Sequence, residues 1–265
     1  MSDTLTDLAV GQLRNALRAV GSPDFFEAYK AIFSARMAFG TFLILRFDPG
    51  QRPVLLNRWI EPEKLLGRPL EDYMEGSYGF DPFYLHRNLP EGGGLFRLSD
   101  IAPDRFFSSE YYLRYYRGTG LCDEVGLLAP MSNGGVAHLS MSRRGEQGAF
   151  RRGELRYLRT YAPLLLELLL QHCEAAAPPP SAQPISARPP LADIIRAHAR
   201  DRLNINLTQR EAQIAGLVLK GHSNGSAAKI LDIATETSKV HRRNLYRKLV
   251  ISSQRDLFGV FKHLL

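Results

Sequence analysis

The sequence predicts an α+β fold, with an N-terminal antiparallel sheet and flanking helices, a linker, and a C-terminal all-α four-helix domain. Two strand–turn–strand patterns lie between helical patterns within residues 1–173. Residues 174–190 include six prolines and almost no large apolar side chain, which is typical of a linker. Over residues 191–265, apolar side chains recur at helical spacing. We therefore predict two domains, 1–173 and 191–265, joined by the proline-rich linker 174–190.

The predicted elements of the N-terminal domain alternate between helices and two hairpins. Gly21 separates the first two helical patterns, and turn residues separate the paired strands. Helices are predicted over residues 5–20, 22–37, 109–117 and 150–173. Strands are predicted over residues 40–47, 53–59, 121–130 and 135–142. The stretches 63–73 and 100–107 are predicted to be irregular or helical.

The net charge of +7 is confined to the C-terminal part of the chain. Residues 191–265 carry 13 lysines and arginines against 6 aspartates and glutamates, whereas residues 1–190 carry 21 of each kind. An evenly solvated surface would not segregate its charge in this way. A polyanionic partner for the C-terminal domain is therefore indicated.

Several classes of protein are excluded by what the sequence lacks. With only Cys122 and Cys173, no disulfide framework is expected, and Cys122 is interpreted as a small buried apolar residue. No apolar run is long enough to span a membrane and no signal-peptide pattern opens the chain, so we expect a cytoplasmic protein. Catalytic, phosphate-loop and zinc motifs are also missing, and the triglycine 92–94 is interpreted as a flexible loop. We expect neither an enzyme nor a bound cofactor or metal.

The C-terminal domain begins with clear helix signals. Thr208 and Glu211 form a predicted capping box, in which a hydroxyl and a carboxylate each accept a free backbone N–H. Gly221 is a predicted helix end, and Ser223 or Asn224 caps the second helix. The residues of that helix predicted to lie close to its neighbours are Ala227, Ala228, Ile230 and Leu231.

The third helix of this domain, which begins near Thr235, is strongly cationic. Its predicted inward positions are Ser238, His241, Leu245 and Leu249. That phase turns Lys239, Arg243 and Arg247 outward. A short helix pair followed by a cationic helix suits the major groove of duplex DNA, which admits a single helix. A solvated cationic surface is the alternative, and the segregated charge favours DNA.

A fourth helix is predicted over residues 253–264. Its apolar stripe is a predicted dimer surface, formed by Leu257, Val260, Phe261 and Leu264.

The fragments LTQREAQ, GHSN, TSKVH and NLYRKL resemble the LuxR/NarL-type helix-turn-helix, which usually reads LTxREREVL, GxSNKEIA, TVKxH and IYRKL. The resemblance implies a transcriptional regulator that binds promoter DNA as a homodimer, with RNA polymerase as a candidate partner. It implies phosphate contacts from Lys239 and Lys248, a backbone contact from Asn224, and base contacts from Thr235, Glu236 and Arg243. Together with the helix phase, it selects as DNA contacts Asn224, Thr235, Glu236, Thr237, Lys239, Arg242, Arg243, Arg247 and Lys248.

Three positions depart from the LuxR/NarL pattern. Ala227 replaces the usual isoleucine, Ser238 the usual valine, and Ala234 the usual serine at the helix start. Each lost aliphatic group costs roughly 1–3 kcal/mol and the lost cap about 1 kcal/mol, unless other residues compensate. We therefore predict that an isolated 191–265 fragment is only marginally stable.

An aromatic stretch is the candidate sensor site. Twelve of the chain's 26 aromatic residues lie between residues 73 and 116. The fragments DPFY (81–84), SEYYLRYYR (109–117) and GLCDEVGLL (120–128) resemble LuxR-type regulators with GAF-like sensor domains, which implies that this stretch covers one face of the sheet. Apolar walls with a few polar tips suit a small organic ligand, although a purely structural core stays open. The candidate ligand contacts are Trp59, Tyr78, Asp81, Tyr111 and Tyr115.

Two alternatives for the N-terminal domain stay open. Asp81-Pro82 resembles the Asp-Pro of acyl-homoserine-lactone receptors, but the Trp and Tyr of that pattern would fall at Arg68 and Asp72, so this ligand class is less favoured. The other alternative is a ligand-independent DNA binder whose N-terminal domain serves dimerisation or protein interaction.

Overall fold

The computed structural model of the protein describes residues 2–61, 67–87, 93–175 and 189–261. Contacts divide the chain into two compact units. The sheet unit comprises Met1–Leu66, His86–Asp100 and Gly120–Ile185, and the helical unit comprises Gly67–Leu85, Ile101–Thr119 and Ser186–Leu265.

The α-helices and strands are numbered in chain order. The helices are α1 (Ser2–Ala19), α2 (Phe25–Ser34), α3 (Gly67–Glu75), α4 (Pro82–Leu85), α5 (Leu98–Ile101), α6 (Glu110–Tyr115), α7 (Arg152–Ala175), α8 (Leu191–Leu203), α9 (Gln209–Leu219), α10 (Asn224–Leu231), α11 (Thr235–Leu249) and α12 (Gln254–Phe261). The strands are β1 (Thr41–Phe47), β2 (Val54–Ile60), β3 (Gly94–Arg97), β4 (Leu121–Pro130) and β5 (Val136–Arg144). Short 3₁₀ turns occupy Ser77–Phe80, Phe106–Ser108, Arg117–Thr119 and Gly145–Gln147.

The sheet unit contains a five-stranded sheet in the order β2-β1-β5-β4-β3, and every neighbouring pair is antiparallel. One face of the sheet packs on α2 and α7. Phe42, Leu139 and Met141 on that face are buried with Tyr29 of α2 and Leu165 of α7. Each such side chain contributes about 1.5–3 kcal/mol when removed from water. The predicted α+β class and both predicted hairpins are confirmed.

The edge strand β3 was not predicted, because only four residues form it. Gly94 begins this strand, so the predicted loop 92–94 is wrong at its last residue. Gly93 lies at φ +72°, and a Cβ on it would lie 2.0 Å from the carbonyl oxygen of Leu128. Glycine is therefore needed where the chain approaches β4 to begin the pairing.

Cys122 is exposed, so its predicted burial is wrong. The pairing of β4 with β5 shifts register between Leu121 and Asp123, which leaves Cys122 as the extra residue of a bulge. A bulge turns its extra residue out of the regular alternation, and an apolar run in the sequence does not reveal it.

The helical unit combines the C-terminal helices with two segments from the N-terminal half of the chain. Phe106 is fully buried, with its ring centroid 6.0 Å from that of Tyr111. The ring centroid of Phe80 lies 5.6 Å from that of Phe258 on α12. The stretches 67–85 and 101–119 belong to the same compact unit as the C-terminal helices. The domain boundaries 1–173 and 191–265 stay a prediction. The predicted linker 174–190 lies mostly outside the described residues.

Two predictions for the C-terminal helices are wrong. Ile230 is 55% exposed, whereas it was predicted to pack against its neighbours. Leu257 and Phe261 are fully buried within the helical unit, so these two residues of the stripe on α12 are core and not an exposed dimer surface, whereas Val260 is half-buried. Leu264, the last residue of the predicted stripe, lies outside the described residues. No described helix combines the length and the apolar character that crossing a membrane requires.

Candidate nucleic-acid interface

The start of α9 is held by the predicted capping box. The Thr208 hydroxyl accepts the Glu211 N–H at 3.2 Å, and the Glu211 carboxylate accepts the Thr208 N–H at 2.8 Å. Glu211 is buried and also pairs with Lys248 Nζ at 2.7 Å. Burial acts to raise the pKa of Glu211, but Lys248 and the Thr208 N–H together hold that pKa below its ordinary value. The first turn of α9 is therefore tied to the end of α11.

The helix α10 begins with a side-chain cap and packs through small residues. Ser223 Oγ accepts the Ser226 N–H at 3.1 Å, which confirms Ser223 as the cap. Ala227 and Ala228 are both buried. Because neither side chain extends beyond Cβ, α10 can lie close to the neighbouring helices α9 and α11.

The helix α11 has three of its four predicted inward residues fully or largely buried. They are Ser238, Leu245 and Leu249. His241, the fourth, is half-buried. Ala234 holds the position before the helix and supplies no side-chain cap. The Ser238 hydroxyl is fully buried, and no hydrogen-bond partner for it lies among the described residues. Two of the three departures from the usual LuxR/NarL pattern, at Ala234 and Ser238, are therefore visible as missing interactions.

The opposite face of α11 is open to solvent. Its exposed residues are Thr235, Glu236, Thr237, Lys239, Val240, Arg243 and Arg247. Lys239 Nζ lies 2.6 Å from the Glu236 carboxylate, one helical turn away, and both side chains remain exposed. An exposed pair of this kind contributes at most about 1 kcal/mol, so it leaves Lys239 available for other contacts.

Arg242 connects α11 to the first turn of α10. Its guanidinium donates to Tyr246 Oη at 3.0 Å and to Asn224 Oδ1 at 3.4 Å, and it lies 5.1 Å from the centroid of the Tyr246 ring. These contacts hold the guanidinium beside Asn224. A cavity of about 260 Å³ opens at this place, lined by Arg105, Ser223, Asn224, Gly225, Thr235, Lys239 and Arg242.

Lys248 lies apart from this exposed face. Its Nζ donates to Glu211 and, at 3.0 Å, to the carbonyl oxygen of Asn206. These hydrogen bonds connect the end of α11 to the start of α9 and to the segment before it. Its implied phosphate contact stays a prediction.

Comparison with known proteins decides the family. Residues 205–261 match the family described as bacterial regulatory proteins, luxR family. A protein of Aeromonas salmonicida, described as an HTH-type transcriptional regulator in the exeN 3′ region, is 33% identical over 188 residues. That alignment covers 68% of this chain and 92% of the Aeromonas protein.

The chain belongs to the luxR family of bacterial regulatory proteins.

Further comparisons agree with this assignment. The regulator MalT of Cronobacter sakazakii is 50% identical over 50 residues, which cover 19% of this chain and 6% of MalT. The LBD domain of VqsR from Pseudomonas aeruginosa superposes with a TM-score of 0.53 and 24% identity, over 63% of this chain and 95% of that domain. The VqsR similarity shows a shared fold. This luxR-family protein is a helix-turn-helix transcriptional regulator, and the relatives from Aeromonas and Cronobacter are both described as transcriptional regulators.

Four of the five candidate ligand contacts of this luxR-family regulator lie in the helical unit. Tyr78, Asp81, Tyr111 and Tyr115 are all buried there. The ring centroids of Tyr111 and Tyr115 are 4.8 Å apart, and Tyr115 Oη lies 2.5 Å from Ser77 Oγ.

Trp59, the fifth candidate, belongs to the sheet unit. It lies on β2 with its ring centroid 5.3 Å from that of Phe39, and Lys30 Nζ also lies 5.3 Å from the Trp59 ring.

Asp81 is a buried carboxylate with two hydrogen-bond donors beside it. It accepts the Tyr73 hydroxyl at 2.7 Å and the Phe83 N–H at 2.9 Å. Burial raises the pKa of Asp81 from 3.8 to about 6, although both hydrogen bonds act in the opposite direction. The charged form is therefore costly at neutral pH.

The second face of the sheet carries a polar cluster that sequence reasoning did not select. Glu124, His138, Ser140 and Ser142 are buried on β4 and β5, and Ser140 Oγ donates to Glu124 Oε1 at 2.5 Å. Burial lowers the pKa of His138 to about 4, while its contact with the Leu127 carbonyl acts the other way. The sequence does contain a signal for this cluster. Residues 138, 140 and 142 alternate with apolar residues, which places the three polar side chains on one face of a strand.

Proposed function

We propose that this luxR-family regulator acts in the cytoplasm as a homodimer on promoter DNA and that its N-terminal half senses a small organic ligand. RNA polymerase is the further partner that this function implies. The exposed cationic face of α11 supports the DNA part. It combines charge for phosphates with the hydroxyl and carboxylate groups of Thr235, Thr237 and Glu236, which suit base edges.

In the proposed complex, α11 lies in the major groove. Arg243 lies at the centre of the exposed face and reads a base, for which guanine is the usual partner of arginine. Lys239 and Arg247 neutralise phosphates on either side. Asn224 and Arg242, held together by their hydrogen bond, approach the DNA backbone beside the cavity.

The experiment begins with selection of duplexes from a random library by the wild-type chain. The affinity of the selected duplex is then measured for Arg243→Ala, Arg247→Ala and the matched control Arg255→Ala. Arg255 is exposed on α12 and carries the same charge. We expect Arg243→Ala to lose roughly 1–3 kcal/mol and to relax preference at one base pair. We expect Arg247→Ala to weaken all sequences alike and to reduce the salt dependence.

If all three variants bind the selected duplex as tightly as the wild-type chain does, the placement of α11 in the groove is refuted. A loss with Arg255→Ala as large as that with Arg243→Ala would show that only net charge matters.

The polar cluster on the sheet supports the sensing proposal. The face that packs on α2 and α7 is apolar, whereas the cluster face buries a carboxylate, a neutral imidazole and two hydroxyls. A ligand with polar groups matched to Glu124, Ser140 and Ser142 would supply further partners, and the apolar surroundings suit an organic body.

The sensing proposal is tested by native mass spectrometry of the chain purified from its own host, followed by thermal unfolding against a metabolite library. A ligand at 100 times its Kd adds about 2.7 kcal/mol to the stability of the protein. Ser140→Ala should reduce that shift if the sheet face holds the ligand. The predicted contacts Trp59, Tyr78, Asp81, Tyr111 and Tyr115 are tested in the same assay.

Absence of any retained compound and of any thermal shift would favour the other candidate function, a ligand-independent DNA binder. In that protein the N-terminal half would serve dimerisation or protein interaction. Sedimentation of the full chain then measures whether it is a dimer.

A further inference from the structure

The turn between α9 and α10 is in contact with a segment from the N-terminal half of the chain. Within the helical unit, the Arg105 N–H donates to the Gly221 carbonyl at 2.8 Å. The Ser223 N–H donates to Asp104 Oδ1 at 2.9 Å. A Cβ on Gly221 would lie 2.7 Å from Phe106 Cα, so the two backbones approach as closely as a glycine permits.

Asp104 occupies an anion-accepting position. The Ser223 N–H precedes α10, where free backbone N–H groups and the helix dipole favour negative charge. The partial burial of Asp104 acts to raise its pKa, but the hydrogen bonds from Ser223 and the nearby His222 hold that pKa below its ordinary value. A carboxylate of the chain is therefore seated where a helix start would accept a phosphate oxygen.

Arg105 lies on the proposed DNA surface itself. It lines the cavity that is also lined by Asn224, Thr235, Lys239 and Arg242, all of which are proposed DNA contacts. The segment 103–106 therefore covers the approach of a DNA backbone to this end of α10. Arg105, Lys239 and Arg242 are three cations that line this one cavity.

We propose that residues 103–106 form an autoinhibitory clip, which occupies the anion-accepting start of α10 and must move away before DNA can contact Ser223 and Asn224. This inference rests on the proposed DNA contacts. The clip belongs to the aromatic stretch between residues 73 and 116, and the ring of Phe106 packs on those of Tyr111 and Tyr112. A change in that cluster would thereby move the clip.

The first test compares affinities of full-chain variants for a labelled mixed-sequence duplex. Asp104→Ala removes the carboxylate from an exposed position, so folding is retained. Asp100→Ala is the matched control, because it removes the same charge from an exposed site four residues away. Since a carboxylate at a helix start is worth up to about 1 kcal/mol when exposed, we expect Asp104→Ala to bind roughly fivefold more tightly than wild type. Asp100→Ala should change affinity by less than about twofold.

The second test uses the wild-type chain and measures hydrogen exchange at the Arg105 amide. Because that amide donates to the Gly221 carbonyl in the clipped state, DNA binding should accelerate its exchange. Unchanged or slower exchange in the DNA complex would overturn the clip, and so would equal affinities of Asp104→Ala and Asp100→Ala.

A third variant separates this inference from the proposed function. If Lys239→Ala weakens binding while Asp104→Ala does not strengthen it, the DNA contacts stand and the clip fails. If both Lys239→Ala and Asn224→Ala leave binding unchanged, the proposed DNA surface fails, and the clip fails with it.

Discussion

Replacement of Ser238 is expected to stabilise the helical unit. Its hydroxyl is 0% exposed and has no hydrogen-bond partner among the described residues. A buried polar group without a partner costs about 1–3 kcal/mol, because it has lost its bonds to water. Its backbone N–H is satisfied by the Ala234 carbonyl at 3.1 Å, so the cost is confined to the side chain.

Two substitutions at this position divide the effect into its parts. Ser238→Ala removes the unsatisfied hydroxyl and slightly improves helix propensity, so we expect a gain of about 1 kcal/mol. Ser238→Val also adds buried methyl groups at about 0.8 kcal/mol each. Crowding and the stiffness of a β-branched residue in a helix act against that gain. The net expectation for valine is about 1–2 kcal/mol.

The assay is calorimetric and urea unfolding of the full chain, followed through the helical signal of circular dichroism. Ser140→Ala is the matched control, because Ser140 is also buried but its hydroxyl donates to Glu124. That variant should lose about 1 kcal/mol, since it removes the hydrogen bond that Ser140 Oγ donates to Glu124 Oε1. If Ser238→Ala and Ser238→Val both destabilise the protein, the hydroxyl has a partner in solution and the reasoning is refuted.

Three further predictions follow from the helical unit. Folding raises the pKa of Asp81 from 3.8 to about 6. The stability that its protonated carboxyl contributes to the fold is therefore fully present below pH 3.8 and is lost as the pH rises through 6. Asp81→Asn should therefore flatten the pH profile of the melting temperature, and an unchanged profile would contradict the burial argument. Lys248→Ala leaves the buried Glu211 without its ion-pair partner and should cost roughly 3 kcal/mol in thermal unfolding. Arg247→Ala, at an exposed position of the same helix, should cost less than about 0.5 kcal/mol. The isolated 191–265 fragment should melt well below the full chain because it loses the packing of Phe80 on Phe258, and a cooperative melt at the same temperature would show that this packing contributes nothing.

Local signals in the sequence were sufficient to predict most of the helices and strands. The capping box of Thr208 and Glu211 and the alternation of apolar residues in the two hairpins depend only on residues close together in the chain. The inward phase of α11 followed from spacing, and Ser238 and Leu245 are buried as that phase requires. The same spacing and the segregated charge predicted the exposed cationic face.

Other features depended on contacts between distant residues, which spacing does not encode. Spacing identified an apolar stripe on α12 but not what covers it, and Leu257 proved to be core. Charge identified Lys248 as a cation but not its partner Glu211, which is 37 residues away. The bulge at Cys122 depends on the register of β4 against β5.

The sequence by itself determined a helix-turn-helix that resembles the LuxR type and ends in a cationic helix, because its helices and the capping box of α9 are built from neighbouring residues. The tertiary structure alone decided that the aromatic stretch packs with the C-terminal helices and that Asp104 reaches Ser223, 119 residues further along the chain. A hydrogen bond over such a separation leaves no periodic trace in a sequence, since it depends on where the packed helices place two backbone segments.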